Sequence, residues 1–514
     1  AIVAYDDALS TLDRALVDSP VAFVLGQQTH WADLYTRAAD VLLLANRPAD
    51  ALAAAEGGKS RLLAGLVGRG DLPAPAAVPA ALTAREQELA AQLNAFDAAE
   101  LAGRGAVERS DRPGRAVADR AALVAALREV WSEMAGHGPA AVNYVAARRG
   151  DRPMAADLAA LAAGLEPGAA LLSLFVTPTG ARLFLWPAGA AAPVAVEAMI
   201  GADELHYDYL AGYEEEVLNR TETRQLGRPL SHRWRALGRP LLGPLLPHLD
   251  GVTRLVIAPQ STYPQLPLPA LWLDEAGTTL LDRCAVSYVP ALGVLERLRR
   301  VVETEFLGRN SVSKTAVFGY TPSDDPRERA LFRGEARRVA GRVGATARLD
   351  GEADGAALEA ATAAPLRLLH LSCHGTFNDR DALESGVLLA DGVYSARRFL
   401  ARRLSVELVT LSACRTAISG SLGGDEMAGL SLALLSAGAR SLLLGLWRVD
   451  AATTAAMMDD FYGRLGGQAA ADKAEALRQT MLALRDGRLI PPGPEFDPSD
   501  PYYWAPFVLV GDWR

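Results

Sequence analysis

The first part of the chain repeats its apolar positions at a spacing near 3.6, the signature of helices that bury one face. Segments 5–17, 31–44 and 49–66 read as helices, with Asn46-Arg47-Pro48 breaking the last two apart. Residues 68–78, rich in Gly, Pro and Asp, read as a linker. Two further helices with charged faces follow at 80–103 and 117–135, separated by an Arg-, Asp-, Gly- and Pro-bearing loop at 103–114. A simple antiparallel hairpin accounts for that pair. From Ala170 the period shortens, and the apolar runs 171–176 and 182–186 flank Pro178-Thr179-Gly180, the pattern of a β-hairpin. Helical stretches return at 209–219 and 232–246, followed by strand-like runs at 255–258, 271–273 and 284–289.

Beyond residue 316, strand and helix alternate. Strands are predicted at 316–319, 366–371, 406–411, 441–446 and 507–511, and helices at 335–343, 426–437, 452–464 and 471–484. Such alternation implies a mainly parallel sheet with helices on both faces. The polar stretch 310–314 reads as a loop between two lobes.

Composition narrows the class. A chain of 514 residues, half of them hydrophobic and 22% charged, has the length and texture of a globular protein with more than one domain. The net charge of −9 argues against a nucleic-acid footprint. Three cysteines in so long a chain fit a reducing compartment, hence the cytoplasm. They show no Cys-x-x-Cys spacing, and no His-x-x-x-His accompanies them, so no metal is expected. No cofactor is expected either, because Gly57-Gly58-Lys59-Ser60 lacks the earlier glycine of a phosphate loop and follows a helix. The most apolar window, 430–447, is interrupted by Gly438 and Arg440 and reads as helix then strand, not as a membrane span. The chain opens on Ala, which points to a missing native start, and heavy Ala, Arg and Gly use points to a GC-rich bacterial genome.

Two strand ends carry the chemistry. Leu368-Leu369-His370-Leu371-Ser372-Cys373-His374-Gly375 and Leu408-Val409-Thr410-Leu411-Ser412-Ala413-Cys414-Arg415-Thr416 each begin as an apolar run and stop at small residues. The first presents a base, His374, and the second a nucleophile, Cys414. In open α/β sheets, sites gather at the carboxyl ends of parallel strands. A thiol with a pKa near 8.5 is mostly protonated at neutral pH, so it needs an imidazole beside it to lose its proton. Gly375 leaves a backbone N–H free for a developing oxyanion, and the N–H of Cys414 is the second candidate donor. Alone, a buried His or Cys is more often structural than catalytic. Alternation along a strand sends Cys373 and His374 to opposite faces, so Cys373 reads as a buried spectator, as does Cys284. Neither Ser412 nor its neighbours form a Gly-x-Ser-x-Gly elbow.

Ala413-Cys414-Arg415 repeats the core of the caspase signature, with a His 40 residues earlier. More broadly, the chain from about Ala316 onward resembles the CHAT family, caspase-like peptidase domains joined to tetratricopeptide-type helical repeats. The matching blocks are His374-Gly375, Leu411-Ser412-Ala413-Cys414-Arg415-Thr416-Ala417, Ala437-Gly438-Ala439-Arg440-Ser441, Leu446-Trp447-Arg448-Val449-Asp450, Phe461-Tyr462 and Pro501-Tyr502-Tyr503-Trp504-Ala505-Pro506-Phe507. Leu255-Val256-Ile257-Ala258-Pro259 and Ala285-Val286-Ser287-Tyr288-Val289-Pro290 resemble the amino-terminal half of such domains. Cys373 departs from the family, in which a Thr or another small residue more often precedes the His.

The resemblance implies a two-lobed caspase-like α/β sandwich with a mainly parallel sheet, preceded by an α-helical repeat segment. It divides the chain into a remnant of tetratricopeptide-like repeats at 1–70, a helical linker or hairpin region at 71–160, a non-catalytic caspase-like lobe at 161–310 and a catalytic lobe at 311–514. The implied activity is that of a cysteine endopeptidase with a His374–Cys414 dyad cleaving a partner protein, latent until triggered through its amino-terminal helical segment, in bacterial defence or regulated cell death. The alternative is a non-catalytic interaction scaffold with a peptidase-like fold. Two substrate pockets compete. Asp425 and Glu426 resemble the acidic pocket groups of relatives that cut after Arg or Lys. In a helix first turn, however, the same acids satisfy the macrodipole, and that reading weighs more. Trp447, Arg448 and Asp450 resemble the caspase segment that pairs with substrate, where Arg448 would favour an acidic residue. Residues 1–66 hold too few repeats to bury their own faces, so they pack on the peptidase or serve an activating protein partner.

Overall fold

The computed structural model describes residues 2–18, 34–68, 74–103, 113–177, 180–213, 232–260, 266–305, 314–376, 378, 382–412, 429–447, 451–466, 472–492 and 496–514. The fold is mixed α/β and is built on one large sheet behind a helical amino-terminal segment. Its strands are β1 (Ala169–Thr177), β2 (Gly180–Pro187), β3 (Val194–Glu197), β4 (Arg254–Ala258), β5 (Ala285–Tyr288), β6 (Thr315–Gly319) and β7 (Ala347–Leu349). The later strands are β8 (Leu366–Ser372), β9 (Gly375–Thr376), β10 (Gly386–Leu389), β11 (Gly392–Ser395), β12 (Val406–Ser412), β13 (Ala439–Gly445) and β14 (Phe507–Gly511). Eleven of them form one sheet in the order β3-β2-β1-β4-β5-β14-β13-β12-β8-β6-β7, and β11-β10-β9 form a small second sheet.

The expected lobes are joined edge to edge. β14, the last strand in the chain, is parallel to β5 and antiparallel to β13, so it is the seam between them. Strands β1, β4 and β5 run with β14, whereas β13, β12, β8, β6 and β7 run the other way. The carboxyl ends of the two halves therefore open on opposite edges of the sheet. The central strands are buried on both faces, which is why they read as unbroken apolar runs.

The helical segment is not a loose extension. Leu52, Ala53 and Leu63 lie in the same apolar core as β1 and β4. The predicted single helix 49–66 is in fact two, Pro48–Gly57 and Arg61–Gly68, broken by Gly58-Lys59-Ser60 with Ser60 at φ 47°. The break turns Lys59 inward. Its ammonium meets Glu56 at 2.9 Å, Ser173 of β1 at 2.7 Å and the Ala258 carbonyl of β4 at 2.9 Å. The other Glu56 oxygen accepts the Leu292 N–H at 2.5 Å, at the start of the Leu292–Glu305 helix. A buried ion pair with every partner satisfied thus ties the helices to the first lobe.

The expected two-helix hairpin is a three-helix unit. Ala80–Gly103, Pro113–Ala135 and Pro139–Arg149 enclose a separate core that includes Leu89, Leu93, Leu127, Trp131, Met134 and Tyr144. The predicted strand at 271–273 is absent. Trp272 makes one isolated bridge to Thr279, and Leu271 and Leu273 are buried beside a short 3-10 turn. The helix expected at 335–343 starts earlier and spans Pro326–Arg342, because Asp325 caps it and Pro326 fits its first turn. The helices predicted from 31, 209 and 426 are described as 34–44, Ala202–Tyr213 and Leu430–Ala437, the remainder of each prediction falling wholly or partly outside the described residues.

Candidate active site

The site is organised by one face of β8 and the helix laid across it. Side chains alternate along a strand, so His370, Ser372 and His374 share a face. The Pro326–Arg342 helix covers that face with residues spaced about one turn apart: Glu328 and Phe332 at His374, and Glu335 at His370. His370 is fully buried, with Nε2 3.1 Å from Glu335 and Nδ1 3.2 Å from the Tyr462 hydroxyl. Tyr462 donates to Thr410 Oγ1 on β12 at 2.7 Å, and its burial keeps the phenol protonated far above its ordinary range. This chain of contacts puts Thr410 of β12 on the same face as His370 of β8, and Ser412, two residues on, with it.

His374 follows β8 and is half-buried. Its Nε2 lies 3.0 Å from Thr321 Oγ1 and 3.3 Å from Glu328 Oε1. Phe332 packs against the ring with centroids 4.7 Å apart. Gly375 opens β9, where it pairs with Val387 of β10. The Leu388 N–H donates to the His374 carbonyl at 2.8 Å, so Gly375 occupies a position whose own N–H points away from β10. Ser372 and Ser412 are direct register neighbours on β8 and β12. Both hydroxyls are buried and find no hydrogen-bond partner among the described residues.

Cys414, Asp425, Glu426, Arg448 and Asp450 lie outside the described residues. Of the expected site residues, the described ones are therefore His374, Gly375 and Trp447. Trp447 sits just past β13, buried, with its indole N–H donating to the Tyr502 carbonyl at 3.0 Å and its ring stacked on Tyr502. Cys373 is buried in the main apolar core, and Cys284 is buried beside β5. Burial pushes the Cys284 thiol up to about 12, which leaves it inert as a nucleophile. Among the described residues no group of three or more His, Cys, Asp or Glu side chains is gathered as a metal site, and no helix is long and apolar enough to cross a membrane.

Sequence reasoning missed Glu328, Thr321 and Phe332. The only trace was local: Asp325-Pro326 followed by Glu328 marks a helix start, which says nothing about the partner of its side chain.

The likeness to known proteins agrees with the architecture. Tetratricopeptide repeat protein 28 of Mus musculus is 31% identical over 138 residues, which is 26% of this chain and 5% of that protein's length. The Saccharomyces cerevisiae separase–securin complex at 3.0 Å resolution is similar over 99% of this chain and 37% of that chain, with a TM-score of 0.54 at 8% identity, a likeness of fold alone. The Arg-specific cysteine proteinase gingipain R is similar over 56% of this chain and 69% of that chain, at 11% identity and a TM-score of 0.36, too loose to carry an argument. A family model of the CHAT domain matches residues 232–512, more than half of the chain, and includes strands on both sides of the β14 seam. The chain belongs to the CHAT-domain family.

Proposed function

We propose that this chain is a caspase-like cysteine endopeptidase in which His374 and Cys414 form the catalytic pair. The register of β8 and β12 carries the reading. Ser372 and Ser412 are neighbours on one face, His374 follows the first by two residues, and Cys414 follows the second by two. Equal sequence steps from adjacent register partners support pairing a base with a thiol at the carboxyl ends of these strands.

In the reaction, His374 accepts the thiol proton of Cys414 as the sulfur attacks the scissile carbonyl of a protein substrate. The tetrahedral oxyanion is held by the Gly375 and Cys414 N–H groups. His374 returns the proton to the leaving amine, the peptide C–N bond breaks, and a thioester stays on Cys414. Water then attacks the thioester with His374 again as base, releasing the carboxylate product and restoring the thiol. Asp425 and Glu426, or Trp447, Arg448 and Asp450, are the proposed determinants of a basic or an acidic residue before the cleaved bond. The helices before Gly68, which share a core with β1 and β4, are the proposed seat of control by a protein partner.

A mixed fluorogenic peptide library and a thiol-reactive peptide probe, applied to the full chain, test the reading. Expected are probe labelling and cleavage that vanish in Cys414→Ala and in His374→Ala, each with unchanged thermal unfolding. A chain that binds partner proteins but whose Cys414 resists the probe is a scaffold. Cleavage that survives Cys414→Ala and is lost in Cys373→Ala identifies a different nucleophile.

A further inference from the structure

We infer that Glu328, with Thr321, is the positioning residue of this site, fixing which nitrogen of His374 acts as the base. The inference rests on the peptidase reading and extends it to a residue outside the dyad. Two oxygens crowd one ring nitrogen: Thr321 Oγ1 at 3.0 Å and Glu328 Oε1 at 3.3 Å from Nε2. A hydroxyl can donate or accept, but an ionised carboxylate only accepts. Its presence therefore favours the tautomer with hydrogen on Nε2, which leaves the basic lone pair on Nδ1. In the opposite tautomer the Nε2 lone pair would face the carboxylate. When the ring takes the thiol proton it becomes an imidazolium, and the carboxylate then lies against a positive charge. Orientation and charge act in the same direction.

The support for Glu328 is itself built. Glu328 lies in the first turn of the Pro326–Arg342 helix, whose cap is already supplied by Asp325 accepting the Arg327 N–H at 2.9 Å. The turn before the helix is pinned by the Ser323 N–H on Thr321 Oγ1 at 3.2 Å and by Arg329 on the Ser323 carbonyl at 2.6 Å. Further along, Phe332 closes on the His374 ring and Glu335 holds His370, so the helix cannot slide without breaking both contacts. A purely structural Glu328 would serve only the helix dipole, and its loss would then show in stability alone.

The test uses the full chain with Glu328→Gln, Glu328→Ala and Thr321→Val. Three readouts are compared: kcat and KM on the cleaved peptide, the rate of Cys414 alkylation by iodoacetamide measured against Cys414→Ala, and thermal unfolding. Because Glu328 is about a third exposed (31%), its effect should fall well below that of a buried triad carboxylate. Glu328→Ala is expected to lower kcat roughly tenfold to a hundredfold with KM within about twofold, and to slow alkylation severalfold. Glu328→Gln, which keeps an acceptor but not the charge, should fall between Ala and the parent chain. Glu328→Ala matching the parent chain in both kcat and alkylation overturns the inference, as does a loss confined to thermal stability. Should the parent chain cleave nothing beyond Cys414→Ala, the peptidase reading fails by itself. Alkylation then decides the positioning role alone, slowed in Glu328→Ala if the inference holds and unchanged if it does not.

Discussion

Ser372 and Ser412 show how a single hydroxyl can weigh on this fold. Both are buried side by side on β8 and β12 and find no hydrogen-bond partner among the described residues. Removing a hydroxyl from water without a replacement bond costs about 1–3 kcal/mol. Ser372→Ala is therefore expected to raise the urea unfolding free energy by about 1 kcal/mol. A loss of stability instead would mean that the hydroxyl is engaged in the folded chain. The cysteines give a second check at this scale. Cys284 and Cys373 are buried, and Cys284 is held protonated by that burial. Titration of the native chain with a thiol reagent at pH 8 should count one fast thiol, removed by Cys414→Ala, against three after unfolding. Two fast thiols in the native chain would contradict this burial.

At the scale of elements, buried charges decide which helices meet. The Glu86 carboxylate accepts from Arg148 at 2.7 and 2.8 Å, from the Trp131 indole at 3.2 Å and from the Tyr144 hydroxyl at 3.4 Å, which joins three helices at one point. Glu86→Ala would strand Arg148 in the core and is expected to cost about 3–5 kcal/mol, read as a fall in unfolding free energy. A change below 1 kcal/mol would show the network to be dispensable. Lys473 sets a pH dependence. It opens the Lys473–Arg485 helix, and burial pushes its ammonium down to about 8, although Glu407 and Asp512 oppose the change. The folded value is below the unfolded one, so between pH 8 and about 10.5 the unfolded chain binds more protons. The Lys473 contribution to stability therefore rises with pH through that window, by roughly 3 kcal/mol, and is flat below it. Lys473→Met should lack this contribution, so the stability difference between the parent chain and the variant should change by roughly 3 kcal/mol across that window, and parallel curves would refute it. Nearby, burial opposes ionisation of Asp512, but Arg440, Arg299 and Lys473 outweigh it and keep the carboxylate below its usual range.

Over the whole molecule, the Glu56–Lys59 pair makes the helical segment part of the body of the α/β fold. Both residues are fully buried, and the pair touches β1, β4 and the Leu292–Glu305 helix together. Lys59→Ala leaves a buried carboxylate uncompensated and is expected to lower stability by about 3–5 kcal/mol, measured by denaturant unfolding. Deleting residues 2–66 should give a chain without cooperative unfolding, because it uncovers the apolar core that Leu52 and Leu63 close. A folded, soluble deletion variant would show the segment to be a separable attachment. Control through these helices is better sought with point variants on the full chain, since a shift of a few kcal/mol in their packing is enough to change a conformational equilibrium.

The amino-acid sequence by itself determined the mixed α/β class, the alternation of the second half and the two strand ends that carry His374 and the residues before Cys414. The reason is local. A strand buried on both faces must be apolar throughout, and it must stop where small or polar residues begin, as 507–511 did at both ends. What local pattern could not encode was decided by contacts between distant segments. β14 leaves the end of the chain to become the seam of the sheet, which no periodicity announces. Lys59 and Arg148 look like surface charges in sequence and are buried because Glu56 and Glu86 await them. Pro139–Arg149 was unforeseen as a helix for the same reason, since its inward face carries an arginine. Leu271 and Leu273 are apolar without being a strand, because burial under a turn satisfies them equally well. Glu328 reaches His374 only because a helix is laid across β8, so this contact is a property of the tertiary structure alone.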